Sequence, residues 1–233
     1  MRSAVHLWLL VSIVVVTACT KTSTSYFPLD AGRSWEYEQF ITILNKTAQQ
    51  KQIYRNLSTG RWQGQTVAVQ ELPTGVRRYY ADTAEGILRL VDLTDSEAAQ
   101  IDAHGGQFVI RQPIQPGTTW QLTSRLALIE SRTFEPADRI IPRRTEVMLN
   151  YVIESLDDEV TVPAGRFAHC LRVHATGSAV VEVNRGYDDA AVNVEHTDWY
   201  ARGVGLIKSS RREYSDSDFL MAGEYKLELQ HFD

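Results

Sequence analysis

The stretch "EYKLELQH", residues 224–231, decides the fold class of this chain. Its apolar residues occupy every second position, and polar residues fill the positions between them. A period of two places alternate side chains on opposite faces of a β-strand, and a polar second face is typical of an antiparallel sheet with one side in water. We therefore expect Tyr225, Leu227 and Leu229 to share a buried face.

The same pattern occurs in "TEVMLNYVIE", residues 145–154, where Val147, Leu149, Tyr151 and Ile153 share one face. Further segments rich in β-branched and aromatic residues are separated by Gly, Pro, Asn and Asp, which is typical of strands joined by turns. These segments are residues 35–44, 65–72, 76–81, 86–93, 107–114, 119–129, 166–176, 179–183 and 197–209.

Only residues 94–106, "TDSEAAQIDAHGG", have a helix-like pattern, with a capping residue at the start and a Gly-Gly stop. Strands and helices do not alternate along the chain, which excludes the parallel folds that bind nucleotides. We predict a single all-β domain over residues 26–233. It would be an antiparallel sheet of about ten or eleven strands with one short helix.

The N-terminal segment predicts where the protein is located. An apolar run at residues 7–16 follows Arg2 and is too short for a spanning helix, which needs roughly 20 apolar residues, but it suits a signal-peptide core. The run ends in Val16-Thr17-Ala18-Cys19, which resembles the lipobox of bacterial lipoproteins. The resemblance implies cleavage before Cys19 and acylation of that residue, and several acyl chains anchor a protein firmly to a bilayer.

We therefore expect residues 1–18 to be a lipoprotein signal peptide and residues 19–25 an acylated tether. The residue after the cysteine is Thr20 and not Asp, so the resemblance implies sorting to the outer membrane, on its periplasmic face. The membrane would be one partner of the protein, through the N-terminal lipid.

Composition excludes one class of partner. The chain has a formal net charge of −5, and its arginine pairs are interrupted by acidic and apolar residues. A nucleic-acid-binding protein would need a concentrated basic face, so we expect no nucleic-acid partner. About 215 residues remain after the signal peptide, enough to bury a core without a disulfide. Cys170 is the single remaining thiol, and we expect it to be a small buried apolar residue.

Four segments occur in the order "YFPLDAGRSWEYE", "QPGTTW", "VTVPAGRFAHCLRV" and "WYARGVGLIK", between residues 26 and 208. Together they resemble a group of uncharacterised exported bacterial proteins and lipoproteins, which are similar to the Lol lipoprotein carriers. The resemblance implies a strongly curved antiparallel sheet, an incomplete barrel whose concave side is apolar. It implies no catalytic residue, because the group has none that could be assigned to this chain.

The candidate reactive residues lack the arrangement that chemistry needs. His169 and His174 are five residues apart and so lie on opposite faces of a strand, and no HxH or CxxC motif accompanies them or His196. Cys170 follows His169 directly, and adjacent strand residues point apart, which separates a thiol from its base. The acidic clusters lie in turn-like segments without the spacing of a calcium loop. We expect no metal, no cofactor and no enzymatic activity.

Aromatic residues are numerous for one sheet, and two interpretations remain open for them. They fill the core of the curved sheet, or a subset lines an open concave pocket for an acyl chain or a peptide. The candidate ligand-binding residues are Trp35, Tyr37, Tyr79, Trp120, Tyr151 and Trp199. We also expect Trp35, Trp120 and Trp199 to lie at or near strand starts and to be largely buried.

These observations favour a non-enzymatic, lipid-anchored envelope protein that binds a hydrophobic or peptidic ligand in its concave sheet, or docks onto another envelope protein. A structural accessory subunit of an envelope complex is the alternative, and it would show an exposed apolar patch of several hundred Å². A hydrolase is the third hypothesis, and it would need a nucleophile and a base that meet in a cleft.

Overall fold

The computed structural model describes residues 24–62, 64–93, 100–101, 106–132, 145–183 and 188–233. This part of the chain contains fifteen strands and no helix, which confirms the all-β prediction. None of the described residues forms a helix that could cross a membrane. The helix expected at residues 94–106 lies mostly outside the described residues, and within that segment Gln100–Ile101 form a short strand. The signal peptide and Cys19 also lie outside them.

The first eight strands are β1 (Ser34–Ile43), β2 (Lys46–Trp62), β3 (Gln65–Glu71), β4 (Arg77–Thr83), β5 (Gly86–Leu93), β6 (Gln100–Ile101), β7 (Gln107–Arg111) and β8 (Thr119–Arg125). The remaining strands are β9 (Glu130–Ser131), β10 (Glu146–Val162), β11 (Gly165–Val183), β12 (Asp188–Ala201), β13 (Gly205–Tyr214), β14 (Leu220–Met221) and β15 (Gly223–Phe232).

Thirteen strands form one antiparallel sheet in the order β6-β5-β4-β3-β2-β1-β15-β13-β12-β11-β10-β8, with β7 paired to β5. Strands β9 and β14 form a separate two-stranded sheet. Sheet neighbours are consecutive in sequence from β1 to β6 and from β10 to β13, as short hairpin connections require. Strand β15 lies between β1 and β13 and so pairs the last strand of the sequence with the first.

The main sheet curls into a nearly closed barrel with one seam between β7 and β8. Two side chains bridge this seam with hydrogen bonds to backbone carbonyl groups. Trp120 Nε1 donates to the Phe108 carbonyl at 3.1 Å, and Gln107 Nε2 donates to the Thr123 carbonyl at 3.1 Å. The predicted incomplete barrel is therefore confirmed.

The segments predicted as two strands at residues 166–176 and 179–183 form one strand, β11, but the number of strands is still higher than predicted for three reasons. Strands β6, β9 and β14 have only two residues each, too few to give a sequence pattern. Strand β2 is long and mostly exposed, so it carries no clean alternation of apolar and polar residues. The segment predicted as one strand at residues 197–209 is the end of β12, a turn and the start of β13. Gly203 and Gly205 permit this turn, with φ angles of 72° and 103° that other residues rarely adopt.

The alternating strands bury the predicted faces. In β15, Leu227 and Leu229 are 1% and 0% exposed, while Glu224 and Lys226 on the other face are exposed. In β10, Val147, Leu149 and Ile153 are buried in the same way. The interior is therefore filled at both ends of the barrel by apolar side chains. Between these packed ends the barrel leaves a space.

The bulged tip of the β10–β11 hairpin curls onto the barrel. Val160, Val162 and Cys170 pack in one cluster with Leu227 and Leu229 of β15. The backbone of the turn is attached as well, because the Ala164 amide donates to the Leu229 carbonyl at 3.0 Å. Register shifts in β10 after Ile153 bend the hairpin toward this contact.

A candidate ligand cavity inside the barrel

A cavity of about 320 Å³ lies inside the barrel. Its volume is within the range of about 300–1,000 Å³ that is common for small-molecule sites. Eleven strands contribute to the wall, so the site depends on the closed sheet and not on a single loop. Its lining side chains include Trp35, Tyr37, Tyr54, Gln70, Arg78, Tyr80, Arg89, Gln107, Phe108, Leu122, Ser124, Tyr151, His196, Asp198, Tyr200, Ser209, Tyr225 and Leu227.

Tyrosine is the commonest residue in this wall. Burial raises the pKa of Tyr37, Tyr54, Tyr151, Tyr200 and Tyr225, so these phenols are neutral at physiological pH. A neutral phenol combines an apolar ring with one hydroxyl that can donate and accept a hydrogen bond. The wall is therefore largely aromatic, with phenol hydroxyl groups at several positions.

The hydroxyl groups divide into two sets. Tyr37 donates to the Leu206 carbonyl at 2.8 Å, and this bond fixes its ring in the wall. In contrast, the hydroxyl groups of Tyr54, Tyr151 and Tyr225 have no hydrogen-bond partner among the described residues. A hydroxyl that faces a cavity must find water or a ligand, because an unsatisfied buried polar group is costly.

A buried carboxylate and an imidazole lie side by side in the wall. His196 Nε2 is 3.0 Å from Asp198 Oδ2, which also accepts a hydrogen bond from Tyr200 at 3.1 Å. Ser209 is a further hydrogen-bond partner of this carboxylate. Burial tends to raise the pKa of Asp198, but the charge of His196 and these three hydrogen bonds outweigh it and hold the pKa below its usual value. Asp198 is therefore ionised. The other ring nitrogen of His196, Nδ1, is buried without a partner among the described residues.

Two arginines from adjacent strands complete the polar part of the wall. Arg78 forms an ion pair with Asp92, with Nε and Oδ2 3.2 Å apart. Arg89 forms no ion pair with any described residue, and its guanidinium group donates to the side-chain oxygen of Gln107. Arg78 is thus neutralised by Asp92, whereas Arg89 has no carboxylate partner among the described residues.

The N-terminal strap, residues 24–33, closes one end of the cavity with Phe27 and Pro28. Asn56 of β2 holds it, because its side-chain amide donates to the backbone carbonyls of Pro28 at 3.2 Å and Asp30 at 3.1 Å. The Gly203 amide donates to the Ser25 carbonyl at 2.8 Å on the other side. The cavity wall therefore includes the segment that follows the predicted tether.

The structure brings three of the six candidate ligand-binding residues to the cavity: Trp35, Tyr37 and Tyr151. Trp120 is not part of the cavity lining, and its ring stacks beside that of its cross-strand neighbour Tyr151 at a centroid distance of 5.3 Å. Trp35 and Trp120 are also 3% and 4% exposed, and each is the second residue of its strand, as expected.

Tyr79 and Trp199 are placed elsewhere. The Tyr79 ring contacts Trp62 at a centroid distance of 5.7 Å, and the neighbouring Tyr80 faces the cavity. Trp199 donates from Nε1 to Asp158 at 3.2 Å, and the expectation that it is largely buried at a strand start is wrong. It is partly buried near the end of β12, because its neighbour Tyr200 faces inward and successive strand residues alternate.

The polar residues of the wall were missed from the sequence. His196, Asp198 and Tyr200 occupy alternate positions of β12, so one face of "HTDWY" carries all three. Arg78 and Tyr80 are spaced in the same way on β4. The period-two pattern was therefore a usable signal, but it places polar residues on a shared face without showing that this face is internal.

The residues considered for metal and thiol chemistry lie apart. His169 Nδ1 is 2.5 Å from Asp157 on the exposed surface, and His174 Nδ1 is 2.9 Å from Thr197 Oγ1. Among the described residues, no three His, Cys, Asp or Glu side chains are grouped to hold a metal. Burial, with the Asp158 carboxylate, raises the pKa of Cys170 to about 11, so its thiol is protonated.

Comparison with known proteins gives low similarity throughout. No family model and no curated protein matches the chain. A solved candidate lipoprotein from Parabacteroides distasonis is 13% identical, with a TM-score of 0.39 over 91% of this chain and 99% of that one. A candidate exported protein with a YmcC-like fold from Bacteroides fragilis is 12% identical, with a TM-score of 0.38 over 89% and 98%. At these values no residue role or activity is transferred, and the relation to the Lol carriers stays a prediction.

Proposed function

We propose that this protein is a lipid-anchored component of the bacterial cell envelope that binds a small hydrophobic or peptidic ligand in its barrel without converting it. The observation that carries the proposal is the cavity of about 320 Å³, whose aromatic wall contains polar groups without a partner among the described residues. Protein interiors are otherwise packed as densely as organic crystals, so a space of this size is an exception within a core.

The composition of the wall supports binding and opposes simple incomplete packing. An accidental void is usually apolar and dry, and it costs stability in proportion to its volume. This cavity presents the hydroxyls of Tyr54, Tyr151 and Tyr225, which have no hydrogen-bond partner among the described residues. Such groups require an occupant that can form hydrogen bonds.

The geometry around Asp198 supports a binding role over hydrolysis. In a catalytic triad, the histidine lies between the carboxylate and the nucleophilic hydroxyl. Here Ser209, His196 and Tyr200 all surround the same carboxylate, so the serine hydroxyl is directed to Asp198 and not to the imidazole. The arrangement orients four side chains and gives no activated nucleophile.

Anchoring rests on the lipobox-like segment that ends in Cys19. An extended chain covers at most about 3.6 Å per residue, so residues 19–25 would hold the strap within about 20 Å of the membrane surface. The end of the cavity formed by Phe27 and Pro28 would then lie near the lipid. The residue Thr20 supports the outer membrane as the location, on its periplasmic face.

The accessory-subunit hypothesis has less support. The exposed large apolar side chains of the described chain are Leu57, Met148, Val180 and Phe219. They belong to β2, β10, β11 and the segment before β14, and four side chains are few for a docking surface of several hundred Å².

The test uses the soluble domain with Cys19 replaced by Ser and the neutral fluorophore N-phenyl-1-naphthylamine. We expect saturable binding with a stoichiometry near one. Leu122→Trp would fill part of the cavity and abolish the binding. Gln121→Trp is the matched control, because residue 121 is exposed on the same strand. Equal binding by both variants would place the site outside the barrel and refute the proposal.

Native mass spectrometry of the same domain, purified gently from the periplasm of its own host, provides the second test. A stoichiometric extra mass that is lost in Leu122→Trp would support an occupied cavity and identify the ligand. An extra mass that persists in this variant would contradict the proposed site.

A further inference from the structure

The charges of the cavity wall define the class of ligand. Four charged or chargeable side chains line it: Arg78, Arg89, His196 and Asp198. Asp92 neutralises Arg78, and His196 lies against Asp198 with three hydrogen bonds around that carboxylate. Arg89 is the one cation of the described wall that has no anionic partner among the described residues.

We propose that the ligand carries one anionic head group, a carboxylate or a phosphate, which pairs with Arg89 while its apolar body lies among the tyrosines. This inference rests on the proposed function, because it assigns the ligand class of the same cavity. It departs from the purely apolar concave side that the sequence resemblance implies.

The setting of Arg89 is that of a preorganised binding group. Gln107 Nε2 donates to the Thr123 carbonyl at 3.1 Å, which fixes the orientation of the Gln107 side-chain amide. Its oxygen is thereby directed at the guanidinium group of Arg89 and accepts from Nη2. A guanidinium group has five N–H donors in a planar fork, and only one bond to a described residue is formed here. The remaining donors suit the two oxygens of a carboxylate or phosphate.

Tyr151 adds a neutral donor to the same wall. Its hydroxyl has no partner among the described residues, and the residue lines the same cavity as Arg89. Burial raises the pKa of Tyr151, so the hydroxyl keeps its proton and can donate to an oxyanion. Guanidinium and phenol donors in one aromatic wall form a site for an amphipathic anion.

The cost of desolvation gives the same conclusion. Arg89 is only partly exposed, and a charge removed from water is unfavourable unless it is paired. Arg78 meets this requirement with Asp92, its direct cross-strand neighbour in the register of β4 and β5. Arg89 faces Gln107 across the β5–β7 pair, a neutral residue. An anion supplied by the ligand would complete the second pair.

The test compares two fluorophores that share a phenylnaphthylamine body. 1-Anilinonaphthalene-8-sulfonate carries one negative charge, and N-phenyl-1-naphthylamine is neutral. We expect the wild-type protein to bind the sulfonate at least 10-fold more tightly. Arg89→Gln should weaken sulfonate binding about 10-fold, equivalent to about 1.4 kcal/mol, and leave binding of the neutral compound within about 2-fold.

Two further variants distinguish an ion pair at residue 89 from a general effect of the protein's net charge. Arg89→Lys retains the charge and should retain most of the preference for the sulfonate. Arg125→Gln removes an equal charge at a side chain that is 70% exposed and should change neither affinity. Circular dichroism and urea unfolding confirm that each variant is folded.

The outcomes distinguish this inference from the proposed function. Equal affinity for both fluorophores in wild type, unchanged in Arg89→Gln, would overturn the anionic head group and leave the binding cavity intact. Absence of binding for both fluorophores would overturn both proposals. Competition against the bound sulfonate by decanoate and by decyl phosphate then identifies whether a free carboxylate or a lipid-like phosphate is the better head group.

Discussion

Glu213→Ala is the substitution that should destabilise this fold most clearly. Glu213 lies on β13, is fully buried, and accepts hydrogen bonds from three consecutive backbone amides, those of Ala127, Leu128 and Ile129, at 2.8–3.1 Å. It also pairs with Arg211 at 2.8 Å. These bonds attach the segment between β8 and β9 to the barrel and close the end opposite the N-terminal strap.

The magnitude follows from the groups left without a partner. Each buried donor that loses its acceptor costs about 1–3 kcal/mol, and removing one member of a buried ion pair costs about 3–5 kcal/mol. The losses are not additive, because the released segment can admit water to several donors at once. We expect about 3–5 kcal/mol for Glu213→Ala, a large part of the 5–15 kcal/mol typical of a domain. The melting temperature should fall by roughly 10 °C.

Packing of the same segment limits its ability to relax. Leu126 and Ile129 are completely buried in one core cluster. A Cβ at Gly223 would lie 2.2 Å from the Leu128 carbonyl oxygen, so the segment rests directly on the backbone of β15. Loss of the Glu213 bonds should therefore expose apolar surface as well as backbone amides.

The assay is urea unfolding followed by tryptophan fluorescence, with the Cys19→Ser domain as reference. Glu213→Gln keeps one acceptor oxygen and should lose about 1–2 kcal/mol. Glu224→Ala is the control, because this carboxylate is 60% exposed and its pair with Arg212 at 3.7 Å should contribute less than about 1 kcal/mol. If Glu213→Ala costs no more than Glu224→Ala, the network does not hold the segment and the reasoning fails.

Two other predictions concern ionisable groups. The pKa of Asp198 is lowered in the folded protein from its usual 3.8, so the stability this carboxylate contributes is present at neutral pH and is lost as the pH falls below about 4. The free energy of unfolding should therefore fall less steeply between pH 5 and pH 3 in Asp198→Asn than in the reference domain. An equally steep fall in both proteins would contradict the assignment. Cys170 is buried with its pKa raised to about 11, so iodoacetamide at pH 8 should modify it only in urea. Rapid alkylation of the native Cys19→Ser domain would refute its burial.

Local patterns were sufficient for the strand class and for several buried faces. In β10 and β15 one face is apolar and the other polar, so the sequence shows which side chains turn inward. The bend of the sheet into an incomplete barrel came from the family resemblance, and the structure confirms it. Strand β2 escaped prediction because its exposed surface gives no such contrast.

The cavity could not be derived in the same way, as β12 shows. Its two faces present His196 and Asp198 on one side and Trp199 on the other. Apolar character alone would place the tryptophan inside and the charged residues in water. The structure shows the opposite placement. Inside the barrel, Ser209 and Tyr200 form hydrogen bonds to Asp198. Outside it, Lys208 and Asp158 contact Trp199.

The sequence by itself determined the all-β class, the inward faces of the amphipathic strands and the lipobox-like segment, because each depends on residues adjacent in the chain. Only the tertiary structure decided which face of the remaining strands became the lumen, which arginine found a carboxylate, and that a space remained between packed ends. These properties depend on pairs far apart in sequence, such as Trp35 with Val204 or Glu213 with Leu128, which closure of the sheet brings together.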